Sequence, residues 1–282
     1  MVVLSVNSEF SRIWNLKFEI WNFVDDFVAF LKWLDHEVTS AYLLHNSGKA
    51  DIVDGEFEHV YGKEVIVERL IVGERGLDFQ IRPKSFFQTN TLWAQKLYEV
   101  VRGMICERDG VILDLYAGTG TIGIIVSDLA KKVYSVELVQ SASEDNRKNL
   151  ELNGIKNVVV VNGKVEDFLK NSKFKIQNEE VTQFWTLNSE LWTLNLERSV
   201  DTIIIDPPRA GMHPSAPEII SQFEAKEIIY VSCNPSTLVR DLEVICQDWE
   251  YFVTDITPVD MFPHTHHIET VVRLARSDFS QD

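Results

Sequence analysis

Apolar residues near the start of the chain recur at three- and four-residue steps. Ile13, Leu16, Ile20, Phe23, Phe27, Phe30, Leu31 and Leu34 fall on one face, with Lys17, Glu19, Asp25 and Asp26 between them, a period that predicts an amphipathic helix with a packing role. From about Ala41 to Arg82 the pattern changes to short apolar runs, Ala41 to Leu44, Val65 to Val67 and Leu77 to Ile81. These are separated by Gly48, Gly55, Gly62, Gly73 and Gly76, which predicts a small β-rich segment. After Ser85 helical and strand patterns alternate. Helices are expected near Thr91 to Cys106, from Thr121, and over Ser141 to Asn153. Strands are expected over Val111 to Tyr116, Lys132 to Leu138, Asn157 to Val161, Thr202 to Ile205, Glu227 to Val231 and Thr270 to Leu274. Such alternation with β-branched strands predicts an α/β, Rossmann-like, doubly wound and mainly parallel sheet. The division expected is a small N-terminal α+β segment, 1–84, and a larger domain, 85–282. Between Asn171 and Val200 the pattern lapses, and Trp-Thr-Leu-Asn occurs at Trp185 and again at Trp192. That stretch reads as an insertion at about 171–200 carrying a local duplication.

Composition narrows the setting. In 282 residues no apolar run approaches the ~20 residues of a membrane span, and the N-terminus lacks the basic region and cleavage site of a secretory signal. The expectation is therefore no membrane role and a cytoplasmic, or organellar or nuclear, location, with a monomer as the default. Cys106, Cys233 and Cys246 have no paired spacing, so neither a disulfide framework nor an iron–sulfur cluster is expected. His264, His266 and His267 lack the companions of a zinc site, and no metal is expected. The formal charge of -16 counts against a broad basic face for nucleic acid, because phosphate neutralisation supplies most non-specific affinity.

Chemistry concentrates where strands end. Asp114-Leu-Tyr116-Ala-Gly118-Thr-Gly120-Thr-Ile-Gly123 follows a strand and opens a helix, and its glycines let the backbone turn tightly beside a ligand. Glu137 ends the next strand, where a carboxylate accepts hydrogen bonds from ribose hydroxyls; on these residues alone NAD and S-adenosylmethionine fit equally. Asp206-Pro-Pro-Arg209 leaves another strand at the same edge, a rigid exit beside a carboxylate. Cys233 ends a further strand, and Asn234-Pro235 stops that strand abruptly. Carbon 5 of uracil is a poor nucleophile, so methylating it needs a thiolate to add first at carbon 6 and a base to remove the carbon 5 proton afterwards. Cys233 and Glu269 are the candidates for these roles.

Five ordered strings carry a resemblance: Ser85-Phe-Phe-Gln88-Thr-Asn90, Asp114 to Gly120, Asp206 to Arg209, Ser232-Cys-Asn-Pro235, and Asp260-Met-Phe-Pro-His-Thr265 followed by Glu269. Together they resemble the RNA uracil-5-methyltransferase family, the S-adenosylmethionine-dependent enzymes that modify tRNA or 23S rRNA. The resemblance implies a class I methyltransferase fold, S-adenosyl-L-methionine as cofactor and RNA as substrate. It further implies Gln88, Tyr116, Glu137 and Asp206 as cofactor contacts beside Gly118 and Gly120, Cys233 as nucleophile and Glu269 as base. Lys164 stands where such enzymes carry a polar or acidic residue near the adenine. Relatives commonly begin with an oligonucleotide-binding barrel that these residues do not include, so RNA affinity is expected either to be reduced or to come from a further segment or a partner. Two other readings remain at this point: an amino-methyltransferase using Asp206-Pro-Pro without the cysteine, and a non-catalytic fragment that binds RNA or a partner.

Overall fold

The computed structural model describes residues 2–7, 14–33, 38–46, 55–170, 200–247, 250–265 and 267–279. The insertion at about 171–200, with its duplicated Trp-Thr-Leu-Asn, and His266 fall outside them. The chain divides into two compact units, 1–68 with 79–86, and 69–78 with 87–282.

In the smaller unit, β1 (Val2–Asn7), α1 (Trp14–Trp33), β2 (Ser40–Asn46) and β3 (Glu56–Gly62) form a three-stranded sheet with its helix. β1 lies parallel to β2, and β3 runs antiparallel on the other side. Ala41, Tyr42, Leu43 and Leu44 of β2 are buried, together with Val24 and Leu31 of α1. β3 was not apparent from hydrophobic pattern because its side chains, Glu-Phe-Glu-His-Val-Tyr-Gly, are largely exposed. A hairpin of β4 (Ile66–Val72) and β5 (Arg75–Ile81) follows. Its strand ends count with the smaller unit and its tip, 69–78, with the larger. At the tip Arg75 reaches the Asp128 carboxylate at 2.6 Å and the Ile125 carbonyl at 3.0 Å.

The larger unit is a seven-stranded sheet with helices on both faces. Its elements in chain order are α2 (Thr91–Met104), β6 (Gly110–Leu115), α3 (Thr121–Val126), β7 (Ala130–Glu137), α4 (Gln140–Leu152), β8 (Val158–Asn162) and α5 (165–170). There follow β9 (Thr202–Ile205), α6 (Ala216–Ser221), β10 (Glu227–Ser232), α7 (Pro235–Ile245), β11 (Tyr251–Val259) and β12 (Glu269–Arg276). The strand order is β11-β12-β10-β9-β6-β7-β8. β8, β7, β6, β9 and β10 run parallel, and β12 inserts antiparallel between β10 and β11. This is the doubly wound sheet that the alternating pattern calls for.

Strand alternation sorts the side chains. Leu113, Leu115, Tyr134, Val136, Ile203, Ile205, Ile228, Tyr230, Val272 and Leu274 share one core with α5, α6 and α7. The intervening residues face the side of α2 and α3. There Asp114 Oδ2 accepts from the main-chain N–H of Gly123 at 3.1 Å and from the Ser135 hydroxyl at 2.9 Å.

The amino ends of the strands are locked by a saturated carboxylate. Glu227, 1% exposed, accepts from the N–H groups of Cys106 and Glu107, the Thr202 hydroxyl and Arg273 Nε. A buried carboxylate is tolerable when its lone pairs are filled in this way. The carboxyl ends are different: chain order reverses there between β6 and β9, which opens the crevice where open α/β sheets bind ligands.

Candidate active site

β6 leads directly into the glycine loop. Tyr116 turns the chain with φ +63°, an uncommon conformation for a non-glycine residue. Its ring packs against the core cluster, and its hydroxyl is buried beside Glu166 and the main chain of His213. Gly120, at φ +82°, is required twice over, since a Cβ would stand 2.0 Å from the Asn146 side chain. At Gly123 a Cβ would meet Ser135 Oγ at 2.4 Å. Gly118 differs, because a Cβ there would meet nothing within 4 Å; the loop is open on that side. α4 braces the turn from below, with Asn149 Nδ2 donating to the Thr119 carbonyl at 3.3 Å.

Glu137 stands at the end of β7 beside this opening. Its carboxylate accepts from the N–H of Gly118 at 2.8 Å and of Val139 at 2.7 Å, which fixes both oxygens and leaves further lone pairs for hydroxyl donors. Asn162 Nδ2 donates to the carbonyls of Glu137 and Leu138, each at 3.0 Å. Leu138 and Val139 carry exposed apolar side chains directly after Glu137, at 60% and 54%. In the sequence Leu138 reads as the end of a strand, and nothing marks Val139 beyond it. Lys164 is exposed just beyond, at the start of α5.

Across the sheet, register builds the second half of the site. Leu115 is opposite Ile205, so Tyr116 and Asp206 leave adjacent strands together, with the Asp206 N–H donating to the Leu115 carbonyl at 3.3 Å. Ser232 of β10 is opposite Thr270 of β12. One residue further, antiparallel register sets Cys233 against Glu269. The two residues expected to share the chemistry are thus neighbours although 36 positions apart in the chain. Asn234 secures the turn after the cysteine: its Oδ1 caps α7 through the Ser236 N–H at 3.1 Å, and its Nδ2 donates to the Arg209 carbonyl at 3.1 Å. On the far side Asn90 caps α2 and donates from Nδ2 to the Met261 carbonyl at 2.9 Å. Gln88, half-buried, lies two residues before that cap.

Electrostatics mark this edge. Burial raises the Asp206 carboxyl to about 8, helped by the negative Glu269 and Asp114. Asp114 rises to about 7, again chiefly through burial, and its Oδ1 has no hydrogen-bond partner among the described residues. Glu269 is raised by burial, against the pull of Arg209. The Cys233 thiol is raised by burial and then by Glu269, while Arg209 lowers it. Tyr98, 5% exposed on the inner face of α2, reaches the same group; its hydroxyl is bonded to Thr121 and feels Asp206 and Glu269. No sequence signal distinguishes Tyr98 from its apolar neighbours on that face.

Arg209→Met is therefore expected to move the pH midpoint of Cys233 alkylation upward, by removing a cation that favours the thiolate. Iodoacetamide labelling against pH, read at the Cys233 peptide by mass spectrometry, checks this. An unchanged midpoint would separate Arg209 from the thiol.

Raised carboxyls around a crevice favour a cationic ligand, because a positive charge there restores their ionised forms. The opening at Gly118, the fixed carboxylate of Glu137 and this acidic edge together fit S-adenosylmethionine, which has ribose hydroxyls at one end and a sulfonium beyond. Among the described residues no group of three or more His, Cys, Asp or Glu could hold a metal ion, and no helix is long and apolar enough to cross a membrane.

The chain is similar to known methyltransferases. The pattern of the tRNA (Uracil-5-)-methyltransferase family matches residues 55–277. An uncharacterized RNA methyltransferase of Clostridium tetani is 38% identical over 259 residues, covering 90% of this chain and 50% of that protein. One from Bacteroides thetaiotaomicron is 40% identical over 242 residues, 84% of this chain and 47% of that one. The chain thus spans about half the length of these relatives. Among solved structures, the Pyrococcus abyssi tRNA (uracil-54, C5)-methyltransferase in complex with S-adenosyl-L-homocysteine is similar with TM-score 0.62 and 32% identity, over 85% of this chain and 51% of that one. Trm5b from Pyrococcus abyssi shares the fold at 13% identity, with TM-score 0.54, over 98% of this chain and 72% of that chain.

Proposed function

The chain belongs to the tRNA (uracil-5-)-methyltransferase family, and from that premise we propose that it methylates carbon 5 of a uridine in tRNA or rRNA through a covalent adduct on Cys233. The observation that carries this reading is the β10–β12 register, which sets Cys233 against Glu269 at the edge that also holds Asp206.

S-adenosylmethionine supplies the electrophilic methyl group when bound. Glu137 would hold the ribose hydroxyls beside the opening at Gly118, with Gln88 and Asp206 as further contacts. The Cys233 thiolate adds to carbon 6, and the electron pair of the carbon 5–carbon 6 double bond moves onto the carbonyl as an enolate. Carbon 5 becomes nucleophilic and takes the methyl group as the methyl–sulfonium bond breaks, leaving a neutral thioether. Glu269 then removes the carbon 5 proton, the double bond returns, and the sulfur–carbon 6 bond breaks to release the thiolate. Proton transfer by a positioned carboxylate contributes roughly 10²- to 10⁴-fold, so Glu269 must come within hydrogen-bond reach of the carbon 5 proton.

The direct test uses total RNA containing 5-fluorouridine together with S-adenosylmethionine. Fluorine on carbon 5 cannot leave as a proton does, so the reaction should stall as a protein–RNA adduct visible on a denaturing gel, and sequencing the trapped RNA names the target. Absence of an adduct from protein that binds the cofactor would overturn the covalent route.

A further inference from the structure

The loop that leads into the base is held from outside its own hairpin. β11 and β12 pair antiparallel with Val259 opposite Glu269, and residues 260–268 connect them. Within this connection the Thr265 hydroxyl donates to the Phe262 carbonyl at 2.8 Å, the His267 N–H donates to Thr265 Oγ1 at 3.2 Å, and His264 adopts φ +76°. These bonds are internal to the loop, and the Met261 N–H joins it to the Val259 carbonyl of β11 at 3.1 Å. Met261 also holds it from outside: the residue is 1% exposed and its carbonyl accepts from Asn90 Nδ2 at 2.9 Å. The same Asn90 side chain accepts at Oδ1 from the Trp93 N–H, and the Ala94 N–H donates to the Asn90 carbonyl at 2.8 Å. One carboxamide therefore caps α2 and clamps the base loop, two residues after Gln88.

We propose that Asn90 is a positioning residue that ties the loop leading into Glu269 to the segment carrying Gln88, so that the base is in place where the cofactor segment is ordered. This rests on the methyltransferase reading above. The two halves of the carboxamide have separable duties. Capping uses only the acceptor, and aspartate caps as well as asparagine. The clamp needs the donor, and a carboxylate in its place faces the Met261 carbonyl with no proton to give. Asn90→Asp consequently keeps the helix and removes the polar clamp on the loop. A base displaced by about 1 Å loses on the order of 10²-fold in its own step, while cysteine addition, which does not use Glu269, continues.

The experiment compares native protein, Asn90→Asp and Asn90→Ala as full chains. The readouts are cofactor affinity, melting temperature, methyl incorporation into ordinary total RNA, and adduct formed on the same RNA and on 5-fluorouridine RNA. For Asn90→Asp the expected result is methyl incorporation about tenfold to a hundredfold lower, a visible adduct with ordinary RNA, and native-like affinity and melting temperature. Asn90→Ala should add a lower melting temperature through the lost cap. Turnover of Asn90→Asp within twofold of native overturns the proposal. So does a turnover loss matched by an equal loss of cofactor binding or stability, since a purely structural role would produce that. If native protein forms no adduct on 5-fluorouridine RNA, the covalent reading falls and this inference with it; a native adduct alongside an indifferent Asn90→Asp removes only the positioning role.

Discussion

Cys233→Ala is expected to bind S-adenosylmethionine as the native protein does while losing RNA methylation by about 10⁴-fold or more, the range in which removing an essential nucleophile falls. Binding should survive because the cofactor-side features, Glu137, the opening at Gly118 and the bracing by α4, lie on β6, β7 and α4 rather than on β10. The turn should survive as well. Asn234 holds it through α7 and the Arg209 carbonyl, not through the sulfur. Without the thiolate, carbon 5 never becomes an enolate carbon, and no other described residue at this edge supplies a comparable soft nucleophile. Filter binding of labelled cofactor and methyl incorporation into RNA check the two halves separately. A variant that keeps methylation within tenfold of native would remove the covalent route and favour transfer to an exocyclic nitrogen. In native protein, adduct formation should rise with pH above neutrality, since burial and Glu269 hold the thiol above its ordinary value.

How much of this was legible in the sequence depends on range. The parallel strands announced themselves because both faces are covered, so β6, β9 and β10 are nearly continuous apolar runs. β11 escaped notice for the opposite reason: it is an edge strand whose middle, Val253 to Asp255 and Ile256, is exposed. α6 and α7 were also unmarked, although Asn234-Pro235 gives α7 both its cap and its first residue. Motif strings located the site residues one by one. What they could not give was adjacency. The pairing of Cys233 with Glu269 appears only once β12 is known to run antiparallel beside β10, and the bond from Asn90 to Met261 spans 171 positions. Tyr98 is legible as a buried helix residue, but the reason for its hydroxyl lies in Thr121, Asp206 and Glu269, which only the fold brings to it.

Glu269→Gln keeps size and hydrogen-bonding capacity and removes only the basic oxygen, so its consequences should fall on the last step. Cysteine addition and methyl transfer proceed, the carbon 5 proton stays, and a methylated adduct accumulates on ordinary RNA while turnover falls by roughly 10²- to 10⁴-fold. The sign of the pH response follows from the raised carboxyl. Glu269 works as a base only when ionised, and burial lifts its pKa above the ordinary value. Native turnover should therefore fail on the acid side at a higher pH than a solvated glutamate would dictate, and fall further as pH drops through that pKa. Glu269 is also the largest nearby charge raising the Cys233 thiol. Removing its charge should shift the pH midpoint of Cys233 alkylation downward, the reverse of the Arg209→Met effect, so the two variants bracket the native midpoint. Denaturing gels with ordinary RNA, methyl incorporation and the alkylation profile together test the assignment. A Glu269→Gln protein that turns over normally would take the base from Glu269. One that stops before any adduct forms would place Glu269 at the addition step, as the group that readies the thiol rather than the one that frees it.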